Sequence, residues 1–165
     1  MGETWCQMLA KCMIVVTGEE AKEACGMEQL CGEMEAVIKG GIHAVRLLWQ
    51  QNSQEEEWGF ILIDARNGFN EENQTAMLWE VRHKWISGVR FLFNCYYHWA
   101  TLVIRAGNGT DHFLYSKEVV TQGDPLAMVA YGMGTLPLIR ELRKAHPGVT
   151  HPWYADDADV GGTFG

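Results

Sequence analysis

The sequence lacks any apolar stretch long enough to cross a bilayer and any excess of positive charge. Over 165 residues the formal net charge is -8. The basic footprint of a self-sufficient nucleic-acid binder is therefore missing, while an acidic catalytic module whose charge is offset by bound cations stays compatible. No CxxC spacing joins the five cysteines, Cys6, Cys12, Cys25, Cys31 and Cys95, so the usual zinc pattern is absent. Their odd number argues against a disulfide framework, and a reducing, intracellular setting, nucleus or cytoplasm, is expected. No basic segment precedes the short apolar run near Met13, which Lys11 interrupts, so a secretory signal is not expected either. Internal repeats and histidines at metal-ligand spacing are also lacking.

What is present is an ordinary globular composition, 47% hydrophobic, in a length that fits one domain with a proper core. Residues 19 to 51 are rich in helix formers, with Leu30, Met34, Val37, Ile38, Ile42, Val45 and Leu48 recurring near helical spacing. Gly40-Gly41 would weaken or break that helix, so one helix or two are equally compatible. After a polar, acidic connection comes Trp58 to Ile63, a continuous apolar run that predicts a strand buried on both faces and ending at Asp64. Asn70 offers a helix cap followed by Glu71 and Glu72, with the helix reaching Trp85. Ser87 offers a cap for the next helix. Thr101 to Arg105, Gly107-Asn108-Gly109 and His112 to Ser116 read as a hairpin, because Asn-Gly accepts positive φ. Pro125 opens a long helix from Leu126 to Leu142, with a kink expected at Pro137, and Pro147-Gly148 ends it. His151 to Tyr154 then returns as a strand. This order predicts an α+β fold, an antiparallel sheet with helices packed on one face. We expect an N-terminal, mostly helical segment over residues 1–57 and a second unit over residues 58–165.

Three stretches can carry chemistry. Asp64 ends a strand. Gln122-Gly123-Asp124-Pro125 forms a glycine loop on which a planar substrate can lie close to backbone. Trp153-Tyr154-Ala155-Asp156-Asp157-Ala158 puts two adjacent carboxylates in a tight turn, and hard divalent cations prefer such oxygen ligands. Phosphoryl transfer assisted by two metals needs carboxylates from more than one strand. If the strands ending at Asp64 and Asp156 are neighbours, residue pattern alone leads to a metal-assisted phosphoryl or nucleotidyl transferase. Bland uses compete at each position: capping for Asp64, core packing for Phe69, a plain loop residue for Gln122. The basic cluster Arg82, His83, Lys84 and Arg90 reads as a solvated helix face, with contact to a nucleic-acid backbone as the alternative.

The run Leu62-Ile63-Asp64-Ala65-Arg66-Asn67-Gly68-Phe69-Asn70 resembles the first palm motif of reverse transcriptases. Thr121-Gln122-Gly123-Asp124-Pro125-Leu126 resembles the second and Tyr154-Ala155-Asp156-Asp157 the third, in the same order, over residues 58–162. The flavour is that of non-LTR retrotransposon enzymes. The resemblance implies a polymerase palm-like sheet, with residues 1–57 as a fingers remnant. It implies two Mg2+ ions, or Mn2+ in their place, held by Asp64, the Ala65 carbonyl, Asp156 and, more weakly, Asp157. Phe69 falls where the family has its steric gate against a 2′-hydroxyl, and Gln122 and Gly123 fall near the incoming dNTP and the template. The implied partners are an RNA or DNA template with its primer, dNTPs, and the remaining fingers and thumb of a longer polyprotein. The sequence departs from the pattern at Gly68, where a slightly larger alanine is common, and adds a further carboxylate at Asp159. Competing readings are an inactive remnant, an RNA-directed RNA polymerase palm, and a non-catalytic metal-binding or interaction module.

Overall fold

The computed structural model describes residues 2–32, 37–107, 109–116 and 124–163. Helix α1 spans Gly2–Cys25 and stops where Gly26 adopts φ 58°, its N–H closing on the Lys22 carbonyl. A left-handed glycine after the last turn is a common helix stop. A short 3-10 turn, Leu30–Gly32, precedes α2, Val37–Asn52. The break in the N-terminal helical region therefore falls at Gly26, and Gly40-Gly41 lie inside a continuous α2.

Strand β1 covers Trp58–Asp64. It is followed by the one-turn helix α3, Gly68–Glu71, then α4, Gln74–Lys84, and α5, Ile86–Tyr96. The cap of α4 is Asn73, whose side chain accepts from the Ala76 N–H at 3.0 Å. This corrects the expected cap at Asn70, which sits within α3. Ser87 likewise lies inside the first turn of α5 and does not cap it. The hairpin forms as expected, β2 over Ala100–Arg105 and β3 over Asp111–Ser116 in antiparallel register. Helix α6 runs Ala127–Ala145 and continues through Pro137. Strands β4, Trp153–Tyr154, and β5, Asp157–Thr163, complete the chain.

The main sheet is antiparallel with strand order β1-β5-β4. Its register sets Asp64 opposite Asp157, Leu62 opposite Asp159 and Ile63 opposite Ala158. Alternation sends Ile63, Ala158 and Val160 to one face and Leu62, Asp64, Asp157 and Asp159 to the other. The first face packs on α6 through Ile139, Leu142 and Trp153. The second is open near the carboxylates. Leu62 is 77% exposed and β1 lies at the edge of the sheet, so the expectation of a doubly buried strand is corrected. Farther along β1, Trp49 of α2 stacks on Phe60 and tilts against Trp58.

The larger core lies behind the sheet. Met77, Val81 and Trp85 (α4 and its end), Leu92 and Tyr96 (α5), Cys25 (α1), and Val129, Ala130, Met133 and Leu136 (α6) are all buried together. Each large side chain of this set contributes about 1.5–3 kcal/mol by leaving water. Helix α6 is thus the common support: its one side holds the helical core and its other side carries the strands with the acidic residues.

Candidate active site at the β4–β5 turn

Ala155 and Asp156 form the two-residue connection of the β4–β5 hairpin, since Tyr154 pairs with Asp157. A tight hairpin of this kind requires positive φ at its first turn position, and Ala155 has φ 54°. For a residue with a Cβ that conformation costs roughly 1–2 kcal/mol. The Ala65 N–H donates to the Asp156 carbonyl at 3.1 Å, adding a rung beyond the β1–β5 ladder and tying the end of β1 to the turn. Directly opposite residues in an antiparallel pair project to the same face about 4.5–5.5 Å apart. Asp64 and Asp157 are such a pair, and Asp156 adjoins them in the turn.

The electrostatics follow from this crowding. The Asp157 carboxyl is raised above its ordinary range, first by partial burial and then by the charges of Asp156, Asp64 and Asp159. Tyr131 of α6 is pushed up to about 12 by burial, with Glu72, Asp156 and Asp157 adding to the effect. Glu72 is pushed up to about 7 by burial. Its carboxyl lies against α6 at Gly134, where a Cβ would strike Oε1. Oxygen-only donors that repel one another suit a hard cation. Among the described residues no three acidic, histidine or cysteine side chains close into a ready-made metal cage.

Of the residues expected from sequence, Asp64, Ala65, Asp156 and Asp157 meet at this corner. The Ala65 carbonyl accepts from the Gly68 N–H at 3.1 Å and keeps a second lone pair. Phe69 stacks on Tyr131 with ring centroids 4.6 Å apart, which places its ring on the α6 side of the same corner. Gln122 and Gly123 lie outside the described residues. Asp124, from the same motif, works as a brace: it accepts from Tyr96 Oη at 2.8 Å and from the Leu126 N–H at 2.9 Å, joining α5 to the entry of α6. The departure at Gly68 has a physical reason. A Cβ there would stand 2.6 Å from Tyr131 Oη and 2.9 Å from Asp156 Cβ, closer than real Cβ contacts, so Tyr131 fills the space that an alanine would need.

Sequence reasoning missed Tyr131, Glu72 and Gln29. The first two sit in helical stretches that read as core or cap. Gln29 is fully buried and holds both backbone groups of Ala155, across a separation of 126 positions that no local pattern reveals. A groove of about 320 Å³ borders the acidic corner, lined by Ile42 and Val45 of α2 and by Tyr154, Asp157 and Asp159. A larger cavity of about 470 Å³ between α4 and α5, lined by Trp79, Arg82, Phe93 and Trp99, shares no residue with it.

Comparison with known proteins agrees with this arrangement. Among solved structures, telomerase from Candida albicans in complex with a TWJ fragment of telomeric RNA is similar, with TM-score 0.61 and 10% identity over 95% of this chain. At that identity the likeness concerns the fold alone, and this chain spans about 30% of the length of that one. A search of curated proteins finds no match. The family model described as reverse transcriptase (RNA-dependent DNA polymerase) matches residues 19–162. With most of its length covered by that match, the chain belongs to the reverse transcriptase family.

Proposed function

We propose that this chain is the catalytic palm portion of an RNA-directed DNA polymerase, transferring deoxynucleotides from dNTPs to a primer 3′-hydroxyl by nucleotidyl transfer. The observation that carries the reading is the pairing of Asp64 with Asp157 beside the Asp156 turn, in a chain of this family. Asp64 and Asp156 are the main anchors for two Mg2+ ions, with Mn2+ able to replace them, and the Ala65 carbonyl and Asp157 assist. Bound there, the ions supply charge neutralisation of the triphosphate and a more acidic primer hydroxyl. The protein's own part is placement. β1 and the β4–β5 turn fix the carboxylates, and α6 fixes the turn from behind. The Phe69 ring, held by Tyr131, stands against a sugar 2′-hydroxyl and favours deoxynucleotides. The family resemblance assigns Gln122 and Gly123 to contact with the incoming nucleotide and the template.

In this reading residues 58–165 are a partial palm and residues 1–57 a mostly helical neighbour. The remaining fingers and thumb belong to a longer polyprotein, of a retroelement of non-LTR type. Template RNA, or DNA, with its primer is the macromolecular partner.

Primer extension on an RNA template, with the full polypeptide that carries this chain, tests the proposal. Incorporation of dNTPs is expected, and Asp156→Asn should lower it by ~10²–10³-fold, the order lost when one group that stabilises developing charge is removed. Phe69→Val should raise ribonucleotide use relative to deoxynucleotide use by about tenfold or more. Equal extension by Asp156→Asn would refute the assignment. Equal use of both sugars by the parent protein would shift it to an RNA-directed RNA polymerase.

A further inference from the structure

We propose that Gln29 is a positioning residue that sets the Asp156 turn, a step beyond the carboxylates themselves that rests on the metal reading above. Gln29 lies in the short loop between α1 and the 3-10 turn and is fully buried. Its Oε1 accepts from the Ala155 N–H at 2.8 Å, and its Nε2 donates to the Ala155 carbonyl at 3.0 Å and to Thr135 Oγ1 at 3.2 Å. The side-chain amide therefore pairs with Ala155 as a neighbouring strand would, donor to acceptor and acceptor to donor. Its backbone continues the likeness, forming a parallel bridge with Trp153.

Ala155 is where such support is needed. It has φ 54° without being glycine, and it is 2% exposed, so water does not pair its backbone groups. A buried N–H and C=O without partners would be costly, and glycine is the residue that adopts this φ freely. Gln29 satisfies both groups in the conformation that makes the turn, and the next residue is Asp156.

The loop is itself held to α6. Glu28 pairs with Arg140 at 2.6 Å and Arg143 at 3.4 Å. Gly132 of α6 leaves the space the loop occupies, since a Cβ there would strike Cys31 Sγ and approach Gln29 Cγ to 2.6 Å. An anchored loop carrying a saturated amide is a template for the turn, so the acidic pair inherits its geometry from a residue far upstream.

The test measures Mn2+ affinity by calorimetry on the 165-residue chain, together with hydrogen exchange of the Ala155 amide. Gln29→Met keeps length and removes hydrogen bonding. It should weaken Mn2+ at least tenfold, in line with the loss of groups that orient metal ligands, and it should expose the Ala155 amide to exchange. Val81→Ala, a core change in α4 away from the turn, lowers stability but should leave Mn2+ affinity at the parent value. Adding Ala155→Gly to Gln29→Met should recover part of the affinity, because glycine needs no template for this φ. Should Gln29→Met not fold, Gln29→Glu carries the same comparison, keeping the acceptor for Ala155 N–H and losing the donor. Folded Gln29 variants with parent affinity and a protected Ala155 amide would overturn the inference. A parent chain that takes up no Mn2+ would instead overturn the metal reading and, with it, the role in ligand placement.

Discussion

Glu72 shows how position rather than residue type decides chemistry. As sequence it reads as one of two acids beside a helix start. In the fold its carboxyl is lowered onto α6 at Gly134, and burial lifts it from an ordinary 4.5 to about 7. The sign of the stability effect follows. The folded chain keeps this proton to higher pH than the unfolded chain, so the stability linked to it is present below about pH 4.5 and is lost as pH rises through about 7. Urea denaturation between pH 5 and 8 should therefore show stability falling with pH. Glu72→Gln should flatten that part of the profile, and a parent profile identical to that of Glu72→Gln would contradict the burial argument. Asp64, Asp156 and Asp157 were legible at this scale because acidic residues at strand ends and turns are local signals. Gln29 and Tyr131 were not, since what makes them matter is contact across α6 and the hairpin.

At the scale of elements, the hairpin β2–β3 and helix α6 were readable from Asn-Gly chemistry and from the Pro125 start. The sheet pairing was readable only as a possibility, because strand neighbours are set by the packing of Ile63, Ala158 and Val160 on α6. The run from Trp58 to Ile63 is as apolar as a central strand, yet it sits at the edge of the sheet with Ile61 and Leu62 exposed. The Asn70 and Ser87 caps failed because Trp85, Leu92 and Met77, fully buried, fix where α4 and α5 lie, and tertiary burial outweighs a cap worth about 1 kcal/mol. Three elements meet at Gly68: α3, the β4–β5 turn and α6. Gly68→Ala should cost about 1–3 kcal/mol by overpacking against Tyr131 and Asp156. Tyr131→Phe in the same chain, which removes the hydroxyl nearest the new methyl, should recover part of it. Thermal denaturation of the two variants checks this, and an unchanged midpoint for Gly68→Ala would contradict the close contact.

The whole molecule is a helical core behind a small sheet whose acidic face is left open. The chain carries a net charge of -8, and several of its acids sit together at one corner, with the Asp157 carboxyl raised first by burial and then by the charges of Asp156, Asp64 and Asp159. Under the proposed function a cation at this corner would offset that repulsion. Large apolar side chains also stand exposed, among them Val15 and Val16 on α1 and Leu102, Val103, Phe113 and Tyr115 on the two-stranded hairpin. An isolated two-stranded hairpin has marginal stability in water. No described helix is long and apolar enough to cross a membrane.

The central claim is that Asp64, Asp156 and Asp157 form one divalent-cation site, and paramagnetic broadening by Mn2+ in amide-resolved spectra of the chain tests it most directly. The signals of Asp64, Ala65, Asp156 and Asp157 should broaden first, at substoichiometric Mn2+, and Asp64→Asn with Asp156→Asn should abolish the effect. Broadening that begins elsewhere, or that survives the double substitution, would contradict the account.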